Sequence, residues 1–342
     1  MDKKSLRSIE ELGEFALIDH LTDDLKTRVE STVKGVGDDA AVIDLGNEYQ
    51  VLTTDMLVEG VHFDLMYTPL KHLGYKAVVV NLSDVYAMNA VPKQITFSIA
   101  ISGKFSVEAL EQLYDGAKLA CEQYGVDLVG GDTSASITGL LISVTAIGTV
   151  PKKEIAYRSG AKNNHLLCVT GDLGAAYMGL QIMEREKKMF EEDNSVQPDL
   201  TNYEYVVGRF LKPESPIEVL LKLREAGITP SSMIDISDGL SSEILHLCKA
   251  SDCGAVIYSD KIPVLQETAD AAEEFQLEPL IPALNGGEDY EILFTVPIAA
   301  FDKVNEMEGL SVIGNITEHK GKAIMMTPEG NSVELQAQGF SH

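Results

Sequence analysis

Apolar residues recur at intervals of three and four over residues 70–88, 107–124, 175–188, 217–226 and 240–250. That spacing gives a helix one buried face. Between them lie shorter runs rich in Val, Ile and Thr and bounded by Gly, Asp or Pro, which predict strands. They cover 40–44, 50–54, 95–101, 127–129, 140–150, 166–170, 255–258, 291–296 and 323–327. Ser106, with Glu108 and Glu111 behind it, provides a capped start for the helix over 107–124. Strands come in adjacent runs and long helices follow, so the pattern predicts α+β layering rather than strict βαβ alternation. A long strand ends at Val150 and the polar stretch 151–164 follows. This predicts an N-terminal domain over 1–150 and a C-terminal domain over 151–342. The acidic, Pro-containing segment 187–204 reads as a mobile connection inside the second domain.

The length, 342 residues, suits two domains, and 45% hydrophobic residues suffice for an ordinary core. Against 53 Asp and Glu stand 27 Lys and Arg, a formal charge of −26. Such a surface excludes nucleic acid, which needs a basic stripe. It does not exclude phosphorylated substrates, since carboxylates hold the magnesium that travels with phosphate. Trp is absent and aromatics are only 6%, which excludes a broad stacking platform. Cys121, Cys168, Cys248 and Cys253 show no CxxC spacing and read as reduced, buried thiols. Residues 1–26 lack the pattern of a signal peptide, and 140–150 is too short and too polar to span a bilayer. A cytoplasmic protein that does not engage a membrane is the expectation.

The informative acids sit beside glycines and at strand ends. Gly37-Asp38-Asp39 precedes a strand, Thr53-Thr54-Asp55 ends one, and Gly130-Gly131-Asp132-Thr133 ends another. Asp235-Ile236-Ser237-Asp238-Gly239 opens a helix, and Gly286-Gly287-Glu288-Asp289-Tyr290-Glu291 enters a strand. Any one of these could be an ordinary turn, and Asp238 could simply cap its helix. Asp84 differs, because it lies inside an apolar helical run, where burial without a partner is costly. Taken together, the clusters point to a polycarboxylate site, and oxygen-only ligands suit magnesium or calcium.

Gly35-Val36-Gly37-Asp38-Asp39-Ala40 imitates a dinucleotide-binding GxGxxA, but it runs into a strand rather than a helix. No GxxxxGK[ST], EF-hand or HExxH pattern is present. Arg158 could clamp a phosphate with its planar fork or form a surface ion pair. His62 could contact a phosphate, move a proton or serve as a structural hydrogen-bonder. Phe340 could stack on a flat ring or be a bare terminal aromatic.

These strings in this order resemble the thiamine-monophosphate kinase family, of the superfamily that includes aminoimidazole ribonucleotide synthetase and selenophosphate synthetase. The resemblance rests on 35–43, 52–63, 76–88, 128–133, 157–162, 169–180, 234–240 and 285–293, which together span nearly the whole chain. It implies a two-domain α+β subunit. The N-terminal domain would form a β-barrel-like dimer core, and the C-terminal domain would pack helices on a mixed sheet. It further implies ATP and thiamine monophosphate as substrates, a homodimer and several magnesium ions. Asp39, Thr53, Thr54, Asp55, Asp84, Asp132, Asp235 and Asp238 are similar to that family's magnesium shell. Tyr114, Gly131, Asp132, Arg158 and Ser237 correspond to ATP contacts, and His62, Glu288 and Phe340 to substrate contacts. The chain departs from the family pattern at 212–218, which has no Arg, and at Glu243-Ile244, where Asp-Leu is common.

The chemistry agrees with the residues. Moving a phosphoryl group onto another phosphate brings two polyanions together, and this calls for carboxylate-held magnesium rather than a covalent nucleophile. Direct in-line transfer is therefore expected. The competing readings are another ATP-using enzyme of the superfamily, acting on a purine intermediate or selenide, and a non-catalytic acidic protein that binds divalent ions.

Overall fold

In the computed structural model, which describes residues 13–195 and 197–336, the strands sort into two seven-stranded sheets. The first comprises β1 (Thr32–Lys34), β2 (Ala41–Asp44), β3 (Glu48–Val58), β4 (Val91–Ile101), β5 (Asp127–Gly130), β6 (Thr133–Ala135) and β7 (Leu141–Pro151). Its order is β1-β2-β3-β7-β4-β5, with β6 also paired to β4. The second comprises β8 (Leu166–Thr170), β9 (Ser232–Asp235), β10 (Gly254–Tyr258), β11 (Ile292–Val296), β12 (Leu310–Thr317), β13 (Ala323–Met326) and β14 (Ser332–Glu334). Its order is β14-β13-β10-β12-β8-β11-β9, with β10 and β13 parallel.

The helices are α1 (Glu14–Thr22), α2 (Leu70–Ala87), α3 (Val107–Tyr124), α4 (Ala175–Glu192), α5 (Glu204–Leu211), α6 (Ile217–Glu225), α7 (Leu240–Ser251), α8 (Gln266–Glu274), α9 (Leu280–Asn285) and α10 (Phe301–Asn305). Among the described residues, none is long and apolar enough to cross a membrane. All four cysteines are buried free thiols.

The α+β character and the mixed second sheet match expectation, but the β-barrel-like core does not form. Closure would require the end strands of the first sheet to pair. Instead β1 pairs with β2 and β5 with β4, and the sheet stays open. Both end strands are short, at three and four residues, so little hydrogen-bonding edge is available for closure.

The middle of the first sheet is long and regular. β3 and β7 pair antiparallel from Glu48↔Pro151 to Val58↔Leu141. In β7 the residues Ile142, Val144, Ala146 and Val150 alternate inward, as a two-residue period requires. That inner face carries α2, which is buried on most sides because α3 covers it. The two helices approach through glycines. A Cβ on Gly74 would lie 1.9 Å from the Leu113 carbonyl oxygen, and one on Gly116 would lie 1.8 Å from that of Lys71. The far flank of α2 reaches β9, so one helix touches both sheets. α4 continues to Glu192, so the start of the supposed connection 187–204 is helical. Its Phe190 lines an apolar pocket with Met66, Tyr67 and Met183.

Candidate functional site

Five chain segments bring acids to one cavity of about 390 Å³ between the sheets: the turn before β2, β3, α2, the end of β9 with the turn after it, and the stretch carrying Glu288; α2 itself packs on both β3 and β9. In β3, Thr53 and Asp55 share a face because side chains alternate along a strand. Thr53 Oγ1 donates to Asp84 Oδ2 at 2.6 Å. The Asp55 N–H donates to Asn81 Oδ1 at 3.0 Å, and Asn81 is held by its own Nδ2 on the Ala77 carbonyl. Thr54 also lines the cavity, while its hydroxyl donates to the Val144 carbonyl oxygen in β7 at 3.0 Å.

β9 ends on Asp235, whose Oδ2 accepts from Ser83 Oγ at 2.7 Å. The following turn brings Ser237 and Asp238 to the same wall. Glu243, buried in the first turn of α7, accepts the Ser237 and Asp238 N–H groups at 3.2 and 2.8 Å. Gly239 takes φ +115°, which a side chain would resist. The helix cap is this glycine, not Asp238.

Asp39 stands in the turn before β2. Arg158 Nε and Nη2 both reach its Oδ1, at 3.1 and 2.6 Å, and the Arg158 N–H donates to Asp38 Oδ1 at 3.0 Å. Asp39 Oδ2 is buried and has no partner. One carboxylate oxygen from each of Asp39, Asp84 and Asp235 lies within 4.8 Å of the others, the spacing of ligands around one cation.

Crowding buried carboxylates disfavours their charge. Asp84 is raised well above the usual carboxylate range by burial, with Asp55, Asp235 and Asp39 adding and the Thr53 bond opposing. Asp39 is pushed up to about 7 by burial, against the pull of Arg158. Burial likewise raises Asp55 to about 6 and Asp235 to about 6. Burial alone would depress the Arg158 guanidinium, but Asp39 opposite it carries it upward. A divalent cation would reverse the carboxylate shifts. The orphaned Asp39 oxygen, the oxygen-only donors and the mutual spacing all fit magnesium.

His62 and Glu288 also line the cavity. His62 Nδ1 accepts the Val58 N–H at 3.0 Å, which puts the proton of a neutral ring on Nε2. Glu288 and Tyr290 both take left-handed backbone, φ +59° and +52°. Their N–H groups are tied to the Ser237 and Ile236 carbonyls at 2.7 and 2.9 Å. This alternation turns Glu288 to the cavity and Asp289 and Glu291 inward. Asp289 accepts the Gly174 N–H, and Arg209 Nη2 joins the Asp289 carbonyl at 3.1 Å to Glu291 Oε1 at 2.9 Å. Asp289 is pushed up to about 8 by burial.

Thus Asp39, Thr53, Thr54, Asp55, Asp84 and Asp235 line one cavity with Arg158, Ser237, Asp238, His62 and Glu288. Gly131 and Asp132 do not line it; they are exposed between β5 and β6. The Asp132 N–H donates to Ser98 Oγ at 3.1 Å. Tyr114 packs its ring 5.3 Å from that of Phe97. Phe340 lies outside the described residues. Sequence reasoning assigned no role to Ser83, Asn81, Lys76, Glu243 or Arg209. Asn81 and Ser83 precede Asp84 in Asn81-Leu82-Ser83-Asp84, and polar residues on an otherwise apolar helix were the available signal.

AIR synthase related protein, N-terminal domain, matches residues 37–150, and AIR synthase related protein, C-terminal domain, matches residues 164–327. A thiamine-monophosphate kinase of Aquifex aeolicus is 34% identical over 322 residues, covering 92% of this chain and 98% of the relative. One of Bacillus subtilis is 30% identical, covering 97% and 99%. The solved structure of AaThiL complexed with AMPPCP and TMP superposes with a TM-score of 0.83 at 31% identity, covering 99% of this chain and 100% of that one.

Proposed function

The chain belongs to the thiamine-monophosphate kinase family, and on that premise we propose that it phosphorylates thiamine monophosphate at the expense of ATP, giving thiamine diphosphate and ADP. The observation that carries this reading is the carboxylate triad Asp39, Asp84 and Asp235 lining a cavity in a chain so similar to a protein complexed with AMPPCP and TMP.

Asp39, Asp84 and Asp235 would hold magnesium. Thr53, Thr54, Asp55 and Asp238, which line the same cavity, would extend the shell to further ions. Bound magnesium supplies charge neutralisation between the donor and acceptor phosphates. Arg158 and Ser237 would meet the ATP phosphates, with Tyr114, Gly131 and Asp132 as further nucleotide contacts. Arg158 has its Nε and Nη2 engaged by Asp39, so the fork is oriented before nucleotide arrives. His62, Glu288 and Phe340 would hold thiamine monophosphate.

The acceptor phosphate is largely ionised at neutral pH. One of its oxygens attacks the γ-phosphorus in line, the bond to the β–γ bridging oxygen breaks, and ADP leaves. No general base or phosphoenzyme is needed. In the proposed division, residues 1–150 carry dimerisation and ATP–magnesium binding, and residues 151–342 complete the site. A cytoplasmic homodimer is the proposed state, and sedimentation tests the dimer.

The deciding experiment is magnesium-dependent ADP release with thiamine monophosphate, compared with thiamine and with aminoimidazole precursors. Absence of stimulation by thiamine monophosphate would overturn the reading. A labelled phospho-residue trapped by rapid quench would overturn direct transfer.

A further inference from the structure

Lys76 is only 2% exposed, on a helix that is otherwise mostly apolar. A lysine so placed must be compensated. Its Nζ lies 2.9 Å from Glu288 Oε1, donates to the Phe210 carbonyl at 3.2 Å and sits 4.4 Å from the centre of the Phe210 ring. These three contacts use the ammonium fully. The carboxylate it grips is different in kind. The Glu288 side chain keeps 21% exposure, lines the cavity and stands on left-handed backbone tied to Ser237. Its contacts to Lys76 and, at 3.5 Å, to the Tyr290 hydroxyl both fall on Oε1. Oε2 is therefore the oxygen that can take a donor from a bound molecule.

We propose that Lys76 is a positioning residue that sets substrate specificity: it fixes Glu288 through Oε1 so that Oε2 meets an N–H-donating or cationic group on the organic part of the substrate. This rests on the thiamine-monophosphate reading. An unheld Glu288 would swing among rotamers or turn towards the magnesium shell. Lys76 and Asp84 share α2 eight residues apart, about 12 Å along its axis at 1.5 Å per residue. One rigid helix thus carries the anchor for the phosphate end and the anchor for the organic end. The spacing would favour a phosphate ester of matching length over a short one such as a simple alkyl phosphate.

The test is a double-mutant cycle on the full-length protein with Lys76→Met, Glu288→Gln and the double variant. Lys76→Met should raise KM for thiamine monophosphate about tenfold or more, as loss of a supporting partner typically does, with KM for ATP unchanged. Lys76→Arg should recover most of the loss. In the Glu288→Gln background, Lys76→Met should add almost nothing, because the two changes remove one interaction. Additive effects, or a rise in both KM values that Arg does not rescue, would overturn the proposal. If Lys76→Met does not fold, the same cycle run with Lys76→Gln, which keeps a donor for the Phe210 carbonyl but removes the charge that grips Glu288, decides it. A wild-type protein that does not turn over thiamine monophosphate refutes the parent reading. Wild-type turnover with an additive cycle refutes only the role of Lys76.

Discussion

Ser83 Oγ donates to Asp235 Oδ2 at 2.7 Å, joining a helix packed on the first sheet to the last residue of a strand in the second. The bond fixes which Asp235 oxygen remains for a cation. Ser83→Ala should raise the magnesium concentration for half-maximal activity by roughly 10–100-fold, the usual cost of removing a ligand's supporting partner. Magnesium titration of initial rates measures this, and an unchanged half-saturation point would show that Asp235 needs no such support.

Asp84→Asn should lower kcat/KM by at least about 10²-fold, the scale for losing one preorganised electrostatic partner. The fold should survive, since Asn can still accept from Thr53. Without magnesium the variant should melt no lower than wild type, because burial and three neighbouring acids already disfavour the Asp84 charge. Activity that survived the change would remove Asp84 from the proposed shell.

The same crowding fixes the pH dependence of stability. Asp39, Asp55 and Asp235 have folded values of about 7, 6 and 6, above the ordinary value near 4 of an unfolded carboxylate. Their contribution is fully present below about pH 4 and is lost as pH rises through 6 to 7. In chelator the melting temperature should fall across that window. Magnesium should restore it more at pH 8 than at pH 5, where protons occupy its ligands. Equal magnesium shifts at both pH values in a thermal melt would contradict the triad as the cation site.

Much of this was legible in the sequence wherever a local pattern decides the structure. The period-3.6 run over 70–88 becomes α2 at Leu70–Ala87, and the strand expected at 166–170 is β8. Gly-Asp strings were readable because turns need those residues wherever they occur. What was not readable depends on chain closure at a distance. Lys76 looks like any helix-face lysine until Glu288 arrives beside it, and Glu243 looks like a solvated acid until the Ser237 turn folds onto it. The barrel came from resemblance alone, and the short end strands leave the sheet open. Segment 187–204 looked polar enough for a loop, yet Phe190 finds an apolar pocket and α4 extends.

Gly74→Ala and Gly116→Ala should each destabilise the protein by about 1–3 kcal/mol or more, because the added carbon meets backbone rather than a movable side chain. Chemical denaturation measures this. Gly35→Ala is the control, since its Cβ would enter open space. A Gly116→Ala protein as stable as that control would show that the helices can separate freely.

The bond between Ser83 and Asp235 also has a meaning in time. A ribosome supplies Ser83 152 residues before it supplies Asp235. At 5–20 residues per second this is on the order of 8–30 s, during which the nascent helix holds Ser83 and Lys76 without Asp235 and Glu288. Completion of the cavity is therefore a late event of biosynthesis, and a chain truncated before β9 would carry Asp39 and Asp84 yet lack the Asp235 that completes their cluster.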